Sequence, residues 1–198
     1  MNLTAITEPN EVAVKHFADS LSVFNYIDIP EGASVIDVGT GAGFPGLVMK
    51  IARPDIELTL LDSLNKRLNF LDDVLNTLNL KAELVHARAE EGGQNIDYRE
   101  CYDLAVSRAV ARLNVLCEYC LPYVRLSGSF IAFKGGEADE EINNASKAIQ
   151  ALGGKKKNVY KFELPTGCGS RTLIQIEKVQ PTPDKYPRHN GKIKAKPL

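Results

Sequence analysis

The chain has 198 residues, of which 44% are hydrophobic, and its 24 Lys and Arg nearly balance its 25 Asp and Glu. This composition is typical of one globular domain and excludes a disordered or collagen-like chain. No apolar run approaches the roughly 20 residues of a transmembrane helix, and no secretory signal pattern is present, so we expect no membrane association. The four cysteines are too few to crosslink such a domain, so we expect reduced thiols in the cytoplasm.

The small net charge hides two regions of opposite sign. Residues 1–149 carry 13 Lys and Arg and 22 Asp and Glu, a net of −9, whereas residues 150–198 carry 11 and 3, a net of +8. Mobile cations such as Lys192, Lys194 and Lys196 can displace the counterions of a polyanion, so the C-terminal region is a candidate RNA contact. The alternative is a solvated loop followed by a frayed tail.

Strand-like segments rich in Val, Ile and Leu alternate with helical patterns along the chain. The predicted strands are Ser34–Val38, Glu57–Leu61, Ala82–Val85, Asp103–Val106 and Ser129–Lys134. The predicted helices are Pro45–Ala52, Asn65–Asn79, Leu113–Val124 and Glu137–Leu152. This alternation predicts an α/β fold with a mostly parallel, doubly wound sheet and helices on both faces.

The end of the chain departs from this alternation. Two extended segments, Lys157–Glu163 and Arg171–Val179, are joined by a short turn and are therefore predicted to pair antiparallel. A parallel sheet that ends in an antiparallel hairpin is the outline of the class I S-adenosylmethionine-dependent methyltransferase fold, whereas dinucleotide-binding domains continue with parallel crossovers. We assign this domain to residues 1–180, with a helical lead-in over residues 1–30, and treat residues 181–198 as a basic C-terminal tail.

The strongest chemical signal is a glycine-rich segment that follows the first predicted strand. The segment Asp37-Val-Gly-Thr-Gly-Ala-Gly-Phe-Pro-Gly46 has four glycines and leads into a helix. Backbone N–H groups in such a loop can face a ligand at close range, because no Cβ obstructs the approach. A tight turn alone would need only one or two glycines. We therefore predict a cofactor loop that includes Gly39, Gly41 and Gly43.

The type of cofactor depends on the nearby carboxylates. The spacing Gly41-x-Gly43-x-x-Gly46 also fits the dinucleotide fingerprint, and Asp62 follows at the distance expected for an acid that binds ribose. Asp37, however, suits a ligand that carries an ammonium and a sulfonium, and it would repel a pyrophosphate. S-adenosylmethionine is therefore favoured. Each carboxylate also has a structural alternative, since Asp37 could organise the loop and Asp62 could cap the next helix.

Several segments together resemble one protein family. The stretch Val35–Leu75, which contains the glycine segment, Arg53-Pro54 and Leu61-Asp-Ser-Leu-Asn-Lys-Arg67, closely resembles the bacterial small-subunit ribosomal RNA guanine-N7 methyltransferases, also called glucose-inhibited division protein B. Further segments agree with this family across nearly the whole chain. They are Asn2–Ile6, His16–Leu21, Ser107–Ala109, Lys134-Gly135, Tyr186–Arg188 and Lys196–Leu198.

The resemblance implies a set of cofactor contacts in addition to Asp62 and the loop glycines. They fall on Gly39, Phe44, Ala89, Glu90 and Arg108. The backbone at Ala89 would hold adenine, and S-adenosylhomocysteine would be the product. Glu90 has a structural alternative as a solvated carboxylate at a helix start.

The resemblance also implies methyl transfer to guanine N7, which carries an exposed lone pair and has no proton to lose. No general base is then needed, and the protein contributes orientation. Arg108 and Lys134 follow strands at the edge where α/β folds build sites, so we expect them to hold phosphate or the guanine O6. Their structural alternatives are surface ion pairs.

The expected partner is small-subunit ribosomal RNA or a ribosomal particle, and we expect a monomer. We predict no metal site, because Cys117 and Cys120 lie in a helical pattern without a second ligand pair, and the three histidines are scattered. Two other functions stay open on sequence alone. They are an NAD-type oxidoreductase and a non-catalytic RNA-binding module on a methyltransferase fold.

Overall fold

A seven-stranded sheet in the order β3-β2-β1-β4-β5-β7-β6 organises residues 8–198, the part of the chain that the computed structural model describes. The strands are β1 (Ser34–Val38), β2 (Glu57–Asp62), β3 (Glu83–His86), β4 (Tyr102–Arg108), β5 (Val124–Gly135), β6 (Gly154–Glu163) and β7 (Ser170–Lys178). Strands β1 to β5 pair in parallel, and β7 pairs antiparallel with both β5 and β6. The predicted sheet with its terminal hairpin is confirmed.

Helices cover both faces of this sheet, and two apolar clusters fill the layers between them. The α-helices are α1 (Pro9–Val12), α2 (Asp19–Leu21), α3 (Gly46–Ala52), α4 (Asn65–Leu78), α5 (Ala89–Gly92), α6 (Leu113–Cys120), α7 (Asp139–Ala151) and α8 (Asn190–Ala195). A π-helical turn, Ala13–Ala18, joins α1 to α2. The i, i+3, i+4 pattern of α4 places Leu68, Leu71 and Leu75 in the core, as its spacing predicts.

Several predicted boundaries are wrong by one to five residues, and β5, predicted from Ser129, begins at Val124. The helix predicted to reach Val124 ends at Cys120, because Pro122 lies in a following 3-10 turn and Val124 already begins β5. The helix predicted from Glu137 begins at Asp139. The first hairpin strand begins at Gly154 rather than Lys157, since its pairing with β7 extends to Lys178.

The terminal segments pack onto the domain. The helical pieces from Pro9 to Asn25 agree with a helical lead-in, whereas the family-like segment Asn2–Ile6 lies outside the described residues. The basic tail contains α8, which we did not predict, and Ile193 of that helix is fully buried in the cluster that also holds α6. Within residues 8–198, no helix has the length and apolar character needed to cross a membrane.

The strand order positions the functional site. Strand β1 pairs with β2 on one side and with β4 on the other, so the crossover connections leave in opposite directions from the β1–β4 boundary. In open α/β sheets a crevice forms at such a point, outside the carboxyl ends of the strands.

Candidate functional site

A cleft of ≈ 780 Å³ opens at the carboxyl ends of β1, β2 and β4. Its size falls within the roughly 300–1,000 Å³ of small-molecule sites. The glycine loop after β1, the end of β2, the turn after β3 and the loop after β4 line it. The N-terminal helical segment and the C-terminal tail contribute further residues, so the cleft has walls from both ends of the chain.

The glycine loop is shaped by backbone bonds and by close packing. The N–H groups of Gly39 and Thr40 both donate to the Leu61 carbonyl oxygen, at 2.8 and 3.1 Å. Gly39 has φ +76°, and a Cβ on it would lie 2.8 Å from the Val110 side chain. Gly41 has φ +60° and no heavy atom within 4 Å of an added Cβ. Both glycines line the cleft, and Gly41 leaves open space for a ligand.

Asp37 lies beneath this loop and does not line the cleft. Its Oδ2 accepts hydrogen bonds from the Gly46 N–H and the Thr40 hydroxyl, each at 2.8 Å. Its Oδ1 is buried and has no hydrogen-bond partner among residues 8–198. Burial raises the pKa of Asp37 to about 6, against the opposing effect of those two hydrogen bonds. Asp37 therefore organises the loop, and its charge acts on the cleft from behind the loop.

Gly43 also lies outside the cleft lining. A Cβ at this position would be 2.9 Å from Leu71 and 3.0 Å from Leu47. Its φ of +94° is a second reason for glycine. Gly43 thus allows α3 and α4 to pack closely beneath the loop.

Asp62 ends β2 and lines the cleft with a side chain that is 2% exposed. Its Oδ2 accepts from the Gly41 N–H at 3.0 Å, and its Oδ1 accepts from the Leu64 N–H at 2.9 Å. The guanidinium of Arg67 forms an ion pair with it at 3.1 Å. Asp62 does not occupy the N-cap position of α4, which is Leu64. The carboxylate instead connects the glycine loop to the turn after β2.

Ala89 and Glu90 line the cleft from the first turn of α5. Glu90 is 6% exposed, so its position differs from that of a solvated carboxylate at a helix start. Its Oε1 has no hydrogen-bond partner within residues 8–198. A buried carboxylate oxygen of this kind is costly unless a donor meets it, so it points to a ligand. The Ala89 carbonyl oxygen accepts from the Tyr123 hydroxyl at 2.7 Å, which fixes the turn.

Arg108 ends β4 and lines the cleft. Its guanidinium lies 5.1 Å from the Phe44 ring centroid and forms an ion pair with Asp19 at 3.0 Å. The His16 ring stacks on Phe44 with centroids 4.7 Å apart, and its Nδ1 lies 3.2 Å from Arg108 Nη2. Burial and the charge of Arg108 lower the pKa of His16, so the neutral ring accepts this hydrogen bond.

Lys134, predicted at the site, does not line the cleft. Its Nζ donates to the Ala111 carbonyl oxygen at 2.8 Å and forms an ion pair with Glu141 at 2.7 Å. Glu141 also accepts from the Leu113 N–H at 3.3 Å. Lys134 therefore holds the loop between β4 and α6, which carries Val110 over the glycine loop.

The sequence did not place several residues at the cleft. Val110, Tyr119 and Asn190 had no signal, whereas His16, Lys194 and Pro197 lie in segments that the sequence singled out without assigning them to the cofactor site. The positive charge of the tail indicated its importance, but its return to the cleft depends on tertiary contacts. The CxxC cysteines Cys117 and Cys120 are free and fully buried, and burial raises the pKa of both thiols. Among residues 8–198, no cluster of three or more His, Cys, Asp or Glu could hold a metal ion.

Comparison with protein families agrees with this geometry. The family model described as GidB, rRNA small subunit methyltransferase G, matches residues 1–174. This chain belongs to that family. A Desulforamulus reducens relative named ribosomal RNA small subunit methyltransferase G is 53% identical over 199 residues, covering 100% of this chain and 83% of the relative. A Lachnoclostridium phytofermentans relative of the same name is 52% identical, with 100% and 82% covered.

Solved structures share the fold of this member of the rRNA small subunit methyltransferase G family. A SAM-dependent methyltransferase from Aquifex aeolicus has a TM-score of 0.60 at 18% identity, with 85% of this chain and 93% of that chain covered. A SAM-dependent O-methyltransferase from Thermotoga maritima has a TM-score of 0.61 at 16% identity, with 91% and 69% covered. The predicted class I methyltransferase fold and the family resemblance are both confirmed.

Proposed function

We propose that this chain transfers a methyl group from S-adenosylmethionine to N7 of a guanine in small-subunit ribosomal RNA. The observation that carries the proposal is the cleft at the β1–β4 boundary in a chain of this family. It is lined by the open Gly41 and by Glu90, whose buried Oε1 has no hydrogen-bond partner among residues 8–198. We further propose that it acts in the cytoplasm as a monomer.

The donor groups of the cleft fit S-adenosylmethionine. The cofactor carries an ammonium and a sulfonium, and the carboxylates of Asp37, Asp62 and Glu90 give this side of the cleft a negative charge. The loop at Gly39 and Gly41 would receive the methionine part, and Asp62 would accept the ribose hydroxyls. The orphaned Glu90 oxygen can accept a hydrogen bond from an exocyclic amine such as that of adenine. We propose Phe44, Ala89 and Arg108 as the remaining contacts.

The chemistry requires little from the protein beyond orientation. The bound cofactor supplies a methyl group made electrophilic by the sulfonium. Guanine N7 already carries its lone pair, so no side chain has to remove a proton from it. Positioning N7 in line with the methyl–sulfur bond provides the proximity effect.

Arg108 is the residue we propose for this positioning. It lies in the cleft, its guanidinium donors match a phosphate or the guanine O6, and its contacts with Asp19 and Phe44 fix its direction. Lys134 acts indirectly, because its contacts hold the loop that connects Arg108 to α6. Lys134 is therefore a positioning residue in this proposal.

The target guanine must be accessible. The major groove of A-form RNA is too deep and narrow for side chains, so N7 has to be offered by a loop, a bulge or a splayed-out nucleotide. The cleft is open enough to receive a single base, and exposed cations at its rim, Arg88 and Arg112, suit the flanking phosphates.

Two measurements test the proposal. Calorimetric titration with S-adenosylhomocysteine and NAD should detect binding of the first and not the second. Single-turnover methyl transfer to small-subunit ribosomal RNA and to the ribosomal particle, followed by mass mapping of the product, should locate 7-methylguanine. Cofactor binding without any transfer would support the non-catalytic RNA-binding module, and methylation of another atom would overturn the N7 assignment.

A further inference from the structure

The C-terminal tail returns to the cleft and becomes part of its wall. Asn190 and Lys194 of α8, together with Pro197, line the cleft. Ile193, between them, is fully buried in the core beside α6. The helix is therefore anchored on one side and presents polar groups to the cleft on the other.

A buried ion pair holds the start of this wall. Glu118 of α6 is fully buried and accepts from the Nε and Nη2 atoms of Arg188 at 2.8 and 2.6 Å. It also accepts from the backbone N–H of Arg188 at 2.9 Å. Three hydrogen bonds from one residue to one carboxylate fix both the side chain and the backbone at the point where the tail turns toward α8.

The same helix connects this ion pair to the cleft. Val115 and Tyr119 of α6 line the cleft, and the Tyr119 hydroxyl donates to Asn190 Oδ1 at 2.9 Å. At the far end, the Asn114 amide donates to the Leu198 carbonyl oxygen at 3.3 Å. Helix α6 thus contacts the tail at its beginning, middle and end.

The lysines of the tail are not equivalent. Lys194 lines the cleft, whereas Lys192 and Lys196 do not. Lys192 lies in α8, and Lys196 is the C-cap residue that follows the helix. Within residues 8–198, Lys194 has no carboxylate oxygen within 4 Å. An exposed cation that faces the cleft without a carboxylate partner is available for an anionic group of the substrate.

We propose that residues 186–198 form the substrate-side wall of the cleft, that Lys194 contacts an RNA phosphate near the target guanine, and that the Glu118–Arg188 ion pair positions this wall. This inference rests on the proposed function. It gives one cation of the basic C-terminal region, Lys194, a defined place at the cleft.

The first test compares two lysines on one helix. K194Q and K192Q each remove one positive charge from an exposed position of α8. RNA affinity is measured by filter binding of a small-subunit ribosomal RNA transcript over a salt series. We expect K194Q to lower the log–log salt slope by about 0.7–0.9, the contribution of one phosphate contact, and to raise the KM for RNA. We expect K192Q to change both much less. Equal effects of the two variants, or none, would overturn the contact.

The second test concerns the ion pair. E118Q should raise the KM for RNA more than it lowers kcat, leave S-adenosylhomocysteine affinity within about twofold, and speed amide exchange over residues 189–196. R188K keeps the charge but loses the paired donors, so we expect an intermediate KM. D55N is the matched control, since it weakens the Arg53–Asp55 pair, which lies before β2 and away from the cleft.

Each outcome separates this inference from the proposed function. If the unaltered chain binds S-adenosylhomocysteine but methylates no small-subunit RNA, the proposed function fails. If the unaltered chain is active while E118Q retains its RNA KM and its amide protection, the positioning role is overturned. Should E118Q not fold, R188K tests the positioning role by the same KM and amide-exchange measurements. The comparison of K194Q with K192Q tests the phosphate contact separately, because both lysines are exposed.

Discussion

The two sides of the cleft differ in charge and in the way that they are built. The glycine-loop side carries buried carboxylates, Asp37, Asp62 and Glu90, on elements close together in sequence. The basic side consists of Arg108 and Arg112, at the end of β4 and in the loop after it, and of Lys194 in α8. A cationic cofactor suits the first side and a polyanion suits the second. Of these cations only Lys194 belongs to the +8 region, whereas Arg108 and Arg112 lie in the −9 region, so the contrast within the cleft is local and does not follow from the two regional charges.

The difference in construction has an energetic consequence. The carboxylate side is fixed by hydrogen bonds to the glycine loop and to the turn after β2, whereas the basic side depends on long-range ion pairs such as Arg108–Asp19 and Arg188–Glu118. Breaking a buried pair by removing one partner typically costs about 3–5 kcal/mol. We therefore expect changes on the carboxylate side to affect cofactor binding, and changes on the basic side to affect RNA use and the stability of the walls.

The largest expected effect is on the glycine loop. Gly41→Val places a branched side chain in the open space of the cleft, so we expect S-adenosylhomocysteine affinity to fall at least about 100-fold, or roughly 2.7 kcal/mol. Gly32→Val is the matched control, since Gly32 also has positive φ (+69°) and nothing within 4 Å of an added Cβ, but lies before β1. Both variants carry the same backbone strain. Affinity is measured by calorimetric titration with S-adenosylhomocysteine. If Gly41→Val and Gly32→Val bind it equally well, the glycine loop is not part of the cofactor site.

The next effect concerns the basic side. Arg108→Ala removes the proposed orienting group, so we expect the single-turnover rate with bound RNA and saturating cofactor to fall about 100-fold, the size associated with a misplaced reactant. Arg125→Ala is the control, because Arg125 pairs with Asp103 at the opposite end of the sheet. A rate for Arg108→Ala equal to that of the control would assign Arg108 to the packing of Phe44 and Asp19 alone.

A smaller effect tests the end of β2. Asp62→Ala should weaken S-adenosylhomocysteine binding by roughly 1.5–3 kcal/mol, the range for hydrogen bonds to a charged group. Arg67→Ala leaves the carboxylate in place and removes a half-exposed ion pair, so we expect a change below about 1 kcal/mol. Affinity is measured by calorimetry and helix content by circular dichroism. Loss of helix content at unchanged affinity would give Asp62 a structural role only.

The carboxylate side could be predicted from the sequence more completely than the basic side. Strand β1 has the predicted bounds, Ser34–Val38, because an apolar run directly precedes glycines. The six-residue α8 buries only Ile193 and has no periodic pattern. Its place depends on the Glu118–Arg188 pair, whose partners are 70 residues apart. Local patterns do not encode such a pairing. The sequence also indicated an acid at Asp37 but not that it would lie beneath the loop, outside the cleft.

The burial of Asp37 beneath the loop predicts the smallest effect, a dependence of cofactor affinity on pH. The pKa of Asp37 is raised to about 6, so the folded apo protein retains this proton more readily than the unfolded chain, whose ordinary value is 3.8. The group's contribution to stability is therefore present below pH 3.8 and is lost as pH rises through about 6. S-adenosylmethionine, which has a net positive charge because of its sulfonium, favours the ionised form of Asp37. We expect S-adenosylmethionine affinity to rise a few-fold, about 0.5–1 kcal/mol, between pH 5 and 7. Calorimetry across this range, repeated with Asp37→Asn, checks it. The variant should show a flat profile, and an equally steep rise in it would assign the dependence to another group.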